Sequence, residues 1–174
     1  MDYVIRRLYP RELTRALRLA QRTYLAFEAP EYGPEGVETF RRDILENAAF
    51  HAACRSGENR MWGAFDGRKL VGMMVMRGAG HITLAFVDGD FHRRGIGTAL
   101  FRALLREVRR ENPEVEAITL NSSPFGEPFY HKLGFVDTGP RRIQGGIVHT
   151  PMEYRIQRIE KEEFSCSLLQ KPSC

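Results

Sequence analysis

The residues best placed to do chemistry in this 174-residue chain lie in one run, His92-Arg93-Arg94-Gly95-Ile96-Gly97-Thr98. Glycines at 95 and 97 let backbone N–H groups converge on an anion with no Cβ in the way. An apolar i, i+4 series comes at once, Ile96, Leu100, Leu104 and Val108, and predicts a helix that begins at the turn. A helix N-terminus adds unpaired N–H donors and the positive end of the dipole, so the run reads as a phosphate cradle. Two familiar cradles do not fit. A dinucleotide fingerprint needs a further glycine where Leu100 stands and belongs to the first strand–helix unit, and a Walker A loop needs Gly-Lys-Ser/Thr, which is absent.

Other candidates are more ambiguous by residue type alone. Tyr130, between Phe129 and Leu133, either packs or offers a phenol that stays protonated at pH 7. Asn121 with Ser122 and Ser123 is either a polar contact at a strand end or a helix cap before Pro124. Glu28, Glu31 and Glu35, with Tyr32 among them, are either a solvated loop or a site that draws in a cation or a proton. Tyr32 and Trp62 are open to a place in a pocket wall or in the core. The five histidines and three cysteines show no metal-ligand spacing, so no metal is expected, and the cysteines read as reduced thiols of a cytoplasmic protein.

Charge narrows the partners. The chain carries 26 Lys+Arg against 22 Asp+Glu, a net of +4, and Arg93 to Arg110 alone hold six Arg and one Glu, or +5. The remainder sums to −1, so the surplus belongs to the helix behind the cradle and not to the whole surface. With 43% hydrophobic and 28% charged residues the chain is expected to fold as an ordinary globular domain. No apolar run reaches the roughly 18 residues a membrane span needs, and the N-terminus lacks a secretion signal's apolar stretch.

The elements that must position these residues can be read in order. Strands are expected at 2–9, 60–66, 69–77, 81–88, 115–121, 135–138 and 147–159, with helices from Pro10 to Phe27, from about Gly36 to Ala49, from the glycine turn to Asn112, and over 124–133. Asp66-Gly67 marks a hairpin, and Asp88-Gly89 is expected to form a bulge. The order β-α-α-β-β-β-α-β-α-β-β predicts one α/β domain over residues 1–160, a mixed, mostly antiparallel twisted sheet with helices on both faces. Residues 161–174 are expected to be a loose tail.

Two motifs in this order resemble the GNAT N-acetyltransferase superfamily. Its pyrophosphate pattern, [QR]-x-x-G-x-[GA], reads His92-Arg93-Arg94-Gly95-Ile96-Gly97 here, with His at the first position, and Phe129-Tyr130-His131-Lys132-Leu133-Gly134-Phe135 matches F-Y-x-x-L-G-F. The resemblance covers roughly Tyr3 to Ile159. It implies acetyl-CoA as donor, held by residues 92–98 with Phe86 and Val87 at the acyl channel between the strands at 81–88 and 115–121. It implies a primary amine, small or peptidic, as acceptor near Glu28–Glu35, Asn121 against the donor's pantetheine or a catalytic water, and Tyr130 as the acid that protonates the CoA thiolate. Dimers are common among such proteins. The competing expectations are a non-catalytic acyl-CoA-binding module and, because of the arginine cluster, a nucleic-acid binder. The latter lacks interleaved aromatics or a recognised motif, so no nucleic-acid partner is expected.

Overall fold

Alternating and unbroken apolar runs gather into one eight-stranded sheet in the computed structural model, which describes residues 3–157. The expected tail at 161–174 lies outside the described residues. The strands are β1 Val4–Arg7, β2 Asn59–Asp66, β3 Lys69–Arg77, β4 His81–Val87, β5 Ala117–Ser122, β6 Val136–Asp137, β7 Arg142–Gln144 and β8 Ile147–Arg155. Their spatial order is β1-β2-β3-β4-β5-β8-β6, with β7 also on β8, and every pair is antiparallel except β4–β5.

Five α-helices cover the two faces: α1 Leu13–Phe27, α2 Gly33–Phe40, α3 Ala48–Ser56, α4 Ile96–Glu111 and α5 Glu127–Leu133. Helix α4 buries Ile96, Leu100, Leu104 and Val108 against Trp62, Met74 and Ile82. On the other face Leu13, Ala16, Leu19 and Ala20 of α1 pack on Met61, Met73, Val75, Leu84 and Phe86. At about 1.5–3 kcal/mol for each large side chain buried, these two stripes outweigh any intrinsic helix preference. Trp62 belongs to the first core and donates its indole N–H to Glu107, 3.2 Å away; it does not wall a pocket.

Class and layering are as expected, with one helix and one strand more than the expected order. The second expected helix stops at Phe40, passes through a π turn over Arg41–Leu45, and restarts at α3. Asn47 caps α3 by accepting from the Phe50 N–H at 2.9 Å, and Gly57 ends it at φ 88°. Strand β7 forms because Gly145 and Gly146 take positive φ, 55° and 73°, as a two-residue hairpin turn requires. The expected bulge at Asp88-Gly89 is absent; Asp88 instead caps a short 3-10 turn over Gly89–Phe91.

The irregularity of β4 falls earlier. Met76 pairs with Ile82 and Val75 with Leu84, so Thr83 is the extra residue. An inserted residue reverses the facing of every residue after it, which sends Ile82 to the α4 core and Leu84 and Phe86 to the α1 core.

Candidate active site

The bulge coincides with the place where the sheet opens. Strands β4 and β5 pair only at His81–Thr119 and Ile82–Leu120, with His81 Nδ1 and Thr119 Oγ1 2.9 Å apart, although β4 runs on to Val87 and β5 to Ser122. Beyond Ile82 the edge of β4 that faces β5 therefore has no strand partner, and the gap leads into a cleft of about 1530 Å³. The Thr83 hydroxyl faces this cleft, buried and without a hydrogen-bond partner. A strand edge stripped of its neighbour is a row of donors and acceptors awaiting an extended ligand.

One end of the cleft is the glycine turn. Gly95 sits at φ 77° and accepts from the Ala99 N–H at 2.9 Å, which leaves the N–H groups of residues 96–98 unused within the helix. A side chain at Gly97 would put its Cβ 2.8 Å from the Phe129 ring, so this glycine lets α5 pack against the turn. His92, at the motif's variant first position, hydrogen-bonds through Nε2 to the Val87 carbonyl at 2.8 Å and packs on the Phe27 ring. It ties the turn to the end of β4. Arg93 holds a positive φ of 58° and lines the cleft together with Thr98.

Glu28 and Tyr130 line the same cleft. Glu28, half-buried at the end of α1, has its carboxyl pushed up to about 7, by burial first and by the neighbouring Glu31, against a hydrogen bond from the Ser123 side chain. Tyr130 is only 8% exposed. Burial, and then the Glu28 charge, raise its phenol above the ordinary tyrosine value, so it stays a proton donor. Tyr32 is raised by the same two causes, burial leading. A carboxyl near neutrality in the same cleft as a phenol held protonated can take one proton and give another near pH 7.

The other end of the cleft is aromatic and roofed. Tyr24 stacks on Phe40 with ring centroids 3.9 Å apart, and Phe40 meets Phe86 edge-on at 6.1 Å. The β7–β8 hairpin crosses this end and docks its turn on α2, where Thr39 Oγ1 donates to the Gly145 carbonyl at 2.7 Å.

A family profile described as an acetyltransferase (GNAT) domain matches residues 28–156. The chain belongs to the GNAT acetyltransferase family. Solved GNAT structures share its fold at low identity. One is a GCN5-related N-acetyltransferase from Rhodopseudomonas palustris (TM-score 0.77, 21% identity, 90% of this chain and 97% of that one). A second is the PaiA N-acetyltransferase from Thermoplasma acidophilum, solved with coenzyme A (TM-score 0.72, 18% identity, 90% and 100%). A third is the ribosomal-protein-S18-alanine N-acetyltransferase from Escherichia coli (TM-score 0.62, 18% identity, 92% and 98%). No curated protein sequence matches the chain significantly.

Within this GNAT cleft the structure brings together Phe86, Val87, His92, Arg93, Gly95, Ile96, Gly97, Thr98, Asn121 and Tyr130. Arg94 stands apart from the lining and lies over the Phe91 ring at 5.1 Å, so the two arginines of the turn divide. The acidic loop divides too. Glu28 and Tyr32 line the cleft, whereas Glu31 and Glu35 are exposed outside it, because the short 3-10 turn at Ala29–Glu31 and the start of α2 carry them outward. Ser123 caps the turn before α5, accepting from the Gly126 N–H at 3.2 Å, and also reaches Glu28. Sequence reasoning passed over Thr83, Phe40 and the hairpin tip. The Gly145-Gly146 pair between two β-prone triplets was a usable signal for the last of these; no local signal marked the other two.

Among the described residues no three His, Cys, Asp or Glu side chains gather as a metal site would need, and no helix is long and apolar enough to cross a membrane.

Proposed function

We propose that the protein is an acetyl-CoA-dependent N-acetyltransferase that passes the acetyl group directly to a primary amine in a ternary complex. The observation that carries this reading is the parting of β4 from β5 beyond Ile82, which opens a cleft lined by the glycine turn, Glu28 and Tyr130 together. The chain's residues fit the donor: free N–H groups at 96–98 and the Arg93 guanidinium suit a pyrophosphate, and the unpaired edge of β4 suits the amide-bearing pantetheine arm. Phe86 and Val87 carry that edge, and Asn121 faces it from β5.

Acetyl-CoA supplies a thioester whose carbonyl carbon takes the amine nitrogen while the sulfur departs. The main-chain N–H groups of the open β4 edge polarise the carbonyl. Glu28 takes one proton from the incoming ammonium, directly or through water, and so frees the nitrogen lone pair. Tyr130 gives its phenolic proton to the departing sulfur. The second amine proton, released as the amide forms, restores Tyr130 through solvent. The balance is acetamide, free thiol and one proton.

Thermal stabilisation by acetyl-CoA, followed by thiol release across a panel of amines, tests the reading. Saturation at 100 times Kd adds about 2.7 kcal/mol and raises the melting temperature by several degrees. No shift at millimolar acetyl-CoA overturns the proposal. A shift with no thiol release from any amine leaves a binding module in its place.

A further inference from the structure

We infer that the acceptor is a compact primary monoamine with an apolar body, taken in beneath the arch that α2 and the β7–β8 turn close over the cleft; this rests on the acetyltransfer reading. The arch is a backbone-to-backbone contact. A Cβ on Gly36 would lie 2.8 Å from the Gly146 carbonyl oxygen, and one on Gly146 would lie 2.5 Å from the Gly36 nitrogen. The Thr39–Gly145 hydrogen bond clamps the same spot. The hairpin's other foot is held on α5, where Glu127 accepts from Arg141 Nη2 at 2.8 Å and from Thr150 Oγ1 at 2.6 Å.

Thr39, Gly145 and Ile147 all line the cleft, so the contact bridges it. An extended peptide laid between α2 and the turn would need about 4.8 Å of separation on each side. The two glycines leave none.

The lining selects the same class. Phe40 and Phe86 line this end of the cleft with Tyr24 stacked on Phe40, an apolar wall that suits a short hydrocarbon or aromatic body. Two acids line the cleft among the described residues, and Asp43 is already held by Arg42 Nε at 2.8 Å. Glu28 is left to take one ammonium. The Thr23 hydroxyl also lines the cleft without a hydrogen-bond partner, in a residue 6% exposed, and is a further polar atom open to an acceptor. A second cation on the acceptor would be stranded among the rings.

Calorimetry on the full chain saturated with free CoA, at pH 7.5 where the Glu28 carboxyl, pushed up to about 7, is mostly ionised and both amines are mostly cationic, tests this without turnover. The probes are 2-phenylethylamine and tetra-alanine with a free N-terminus. The monoamine is expected to bind at least about tenfold more tightly, and Glu28→Gln to weaken it about tenfold while CoA affinity holds. Thr39→Val, which frees the turn without touching the rings, is expected to narrow the gap between the probes. Equal or tighter binding of the tetrapeptide, no binding of either probe, or indifference to Glu28→Gln each overturns the inference. Failure of CoA itself to bind is read in the loading step and strikes the acetyltransfer reading instead.

Discussion

The proposed donor end of the cleft is drawn largely from one continuous stretch, Val87 through Thr98, whereas the proposed acceptor end takes Thr23 and Glu28 from α1 and its end, Phe40 from α2, Phe86 from β4 and Ile147 from β8. The donor end works through main-chain groups and two glycines. The acceptor end works through side chains and through the docking of a distant hairpin. A cradle for a constant phosphate group needs a backbone shape, which adjacent residues can specify. A pocket for one amine among many needs a particular set of surfaces, which only a folded chain can bring together.

That contrast can be broken at the donor end first. Gly97→Val drives a side chain into Phe129, at a cost of about 1–3 kcal/mol for overpacking. It is expected to weaken acetyl-CoA about 100-fold or more in calorimetry while the variant stays folded by circular dichroism. Full-strength binding would show that the turn does not hold the donor.

Chemistry comes next in size. Tyr130→Phe keeps the ring and its packing on Phe129 and Phe135 and removes only the proton. kcat is expected to fall about 100-fold with acetyl-CoA affinity unchanged. An unchanged kcat would assign protonation of the sulfur elsewhere.

Glu28→Gln separates the two ends by pH. In the proposed mechanism the ionised carboxylate is the active form, so kcat/KM for the amine is expected to rise as pH passes about 7, and the variant to lose that rise. Its stability carries the opposite sign. The folded carboxyl, raised from 4.5 to about 7 chiefly by burial, keeps a proton that the unfolded chain releases at lower pH. Wild-type stability therefore declines between about 4.5 and 7 on this account, and the variant is expected to melt higher relative to wild type at pH 8 than at pH 4. A difference that does not change with pH would place Glu28 in water.

The smallest effect belongs to the arch. Thr39→Val removes one partly buried hydrogen bond and is expected to cost about 1 kcal/mol, with acetyl-CoA binding intact. A loss several times larger in urea titration would make the hairpin a structural pillar and not a selective roof.

Much of the donor half was legible because its signals are local. Gly95 and Gly97 with Ile96, Leu100, Leu104 and Val108 specify a turn and the helix behind it whatever surrounds them, and Phe129–Phe135 carried the second motif. The acceptor half was legible only in its ingredients. Glu28, Glu31 and Glu35 are alike by type and spacing, yet one enters the cleft and two face water, because a single 3-10 turn sets the direction of each. The bulge was expected at Asp88-Gly89 and falls at Thr83, which no glycine marks; the competing demands of the two cores on Ile82 and Leu84 decide it.

By itself the amino-acid sequence determined the α/β layering, the glycine turn with the helix behind it and the family to which the chain belongs, since each arises from periodicity or from residues within a few positions of one another. Tertiary structure alone decided where β4 and β5 part, which glutamate enters the cleft with Tyr130, and that a hairpin more than a hundred residues away docks on α2. Those outcomes depend on burial and on contacts between remote segments, and no local pattern encodes the dielectric around a carboxylate or the gap between two backbones.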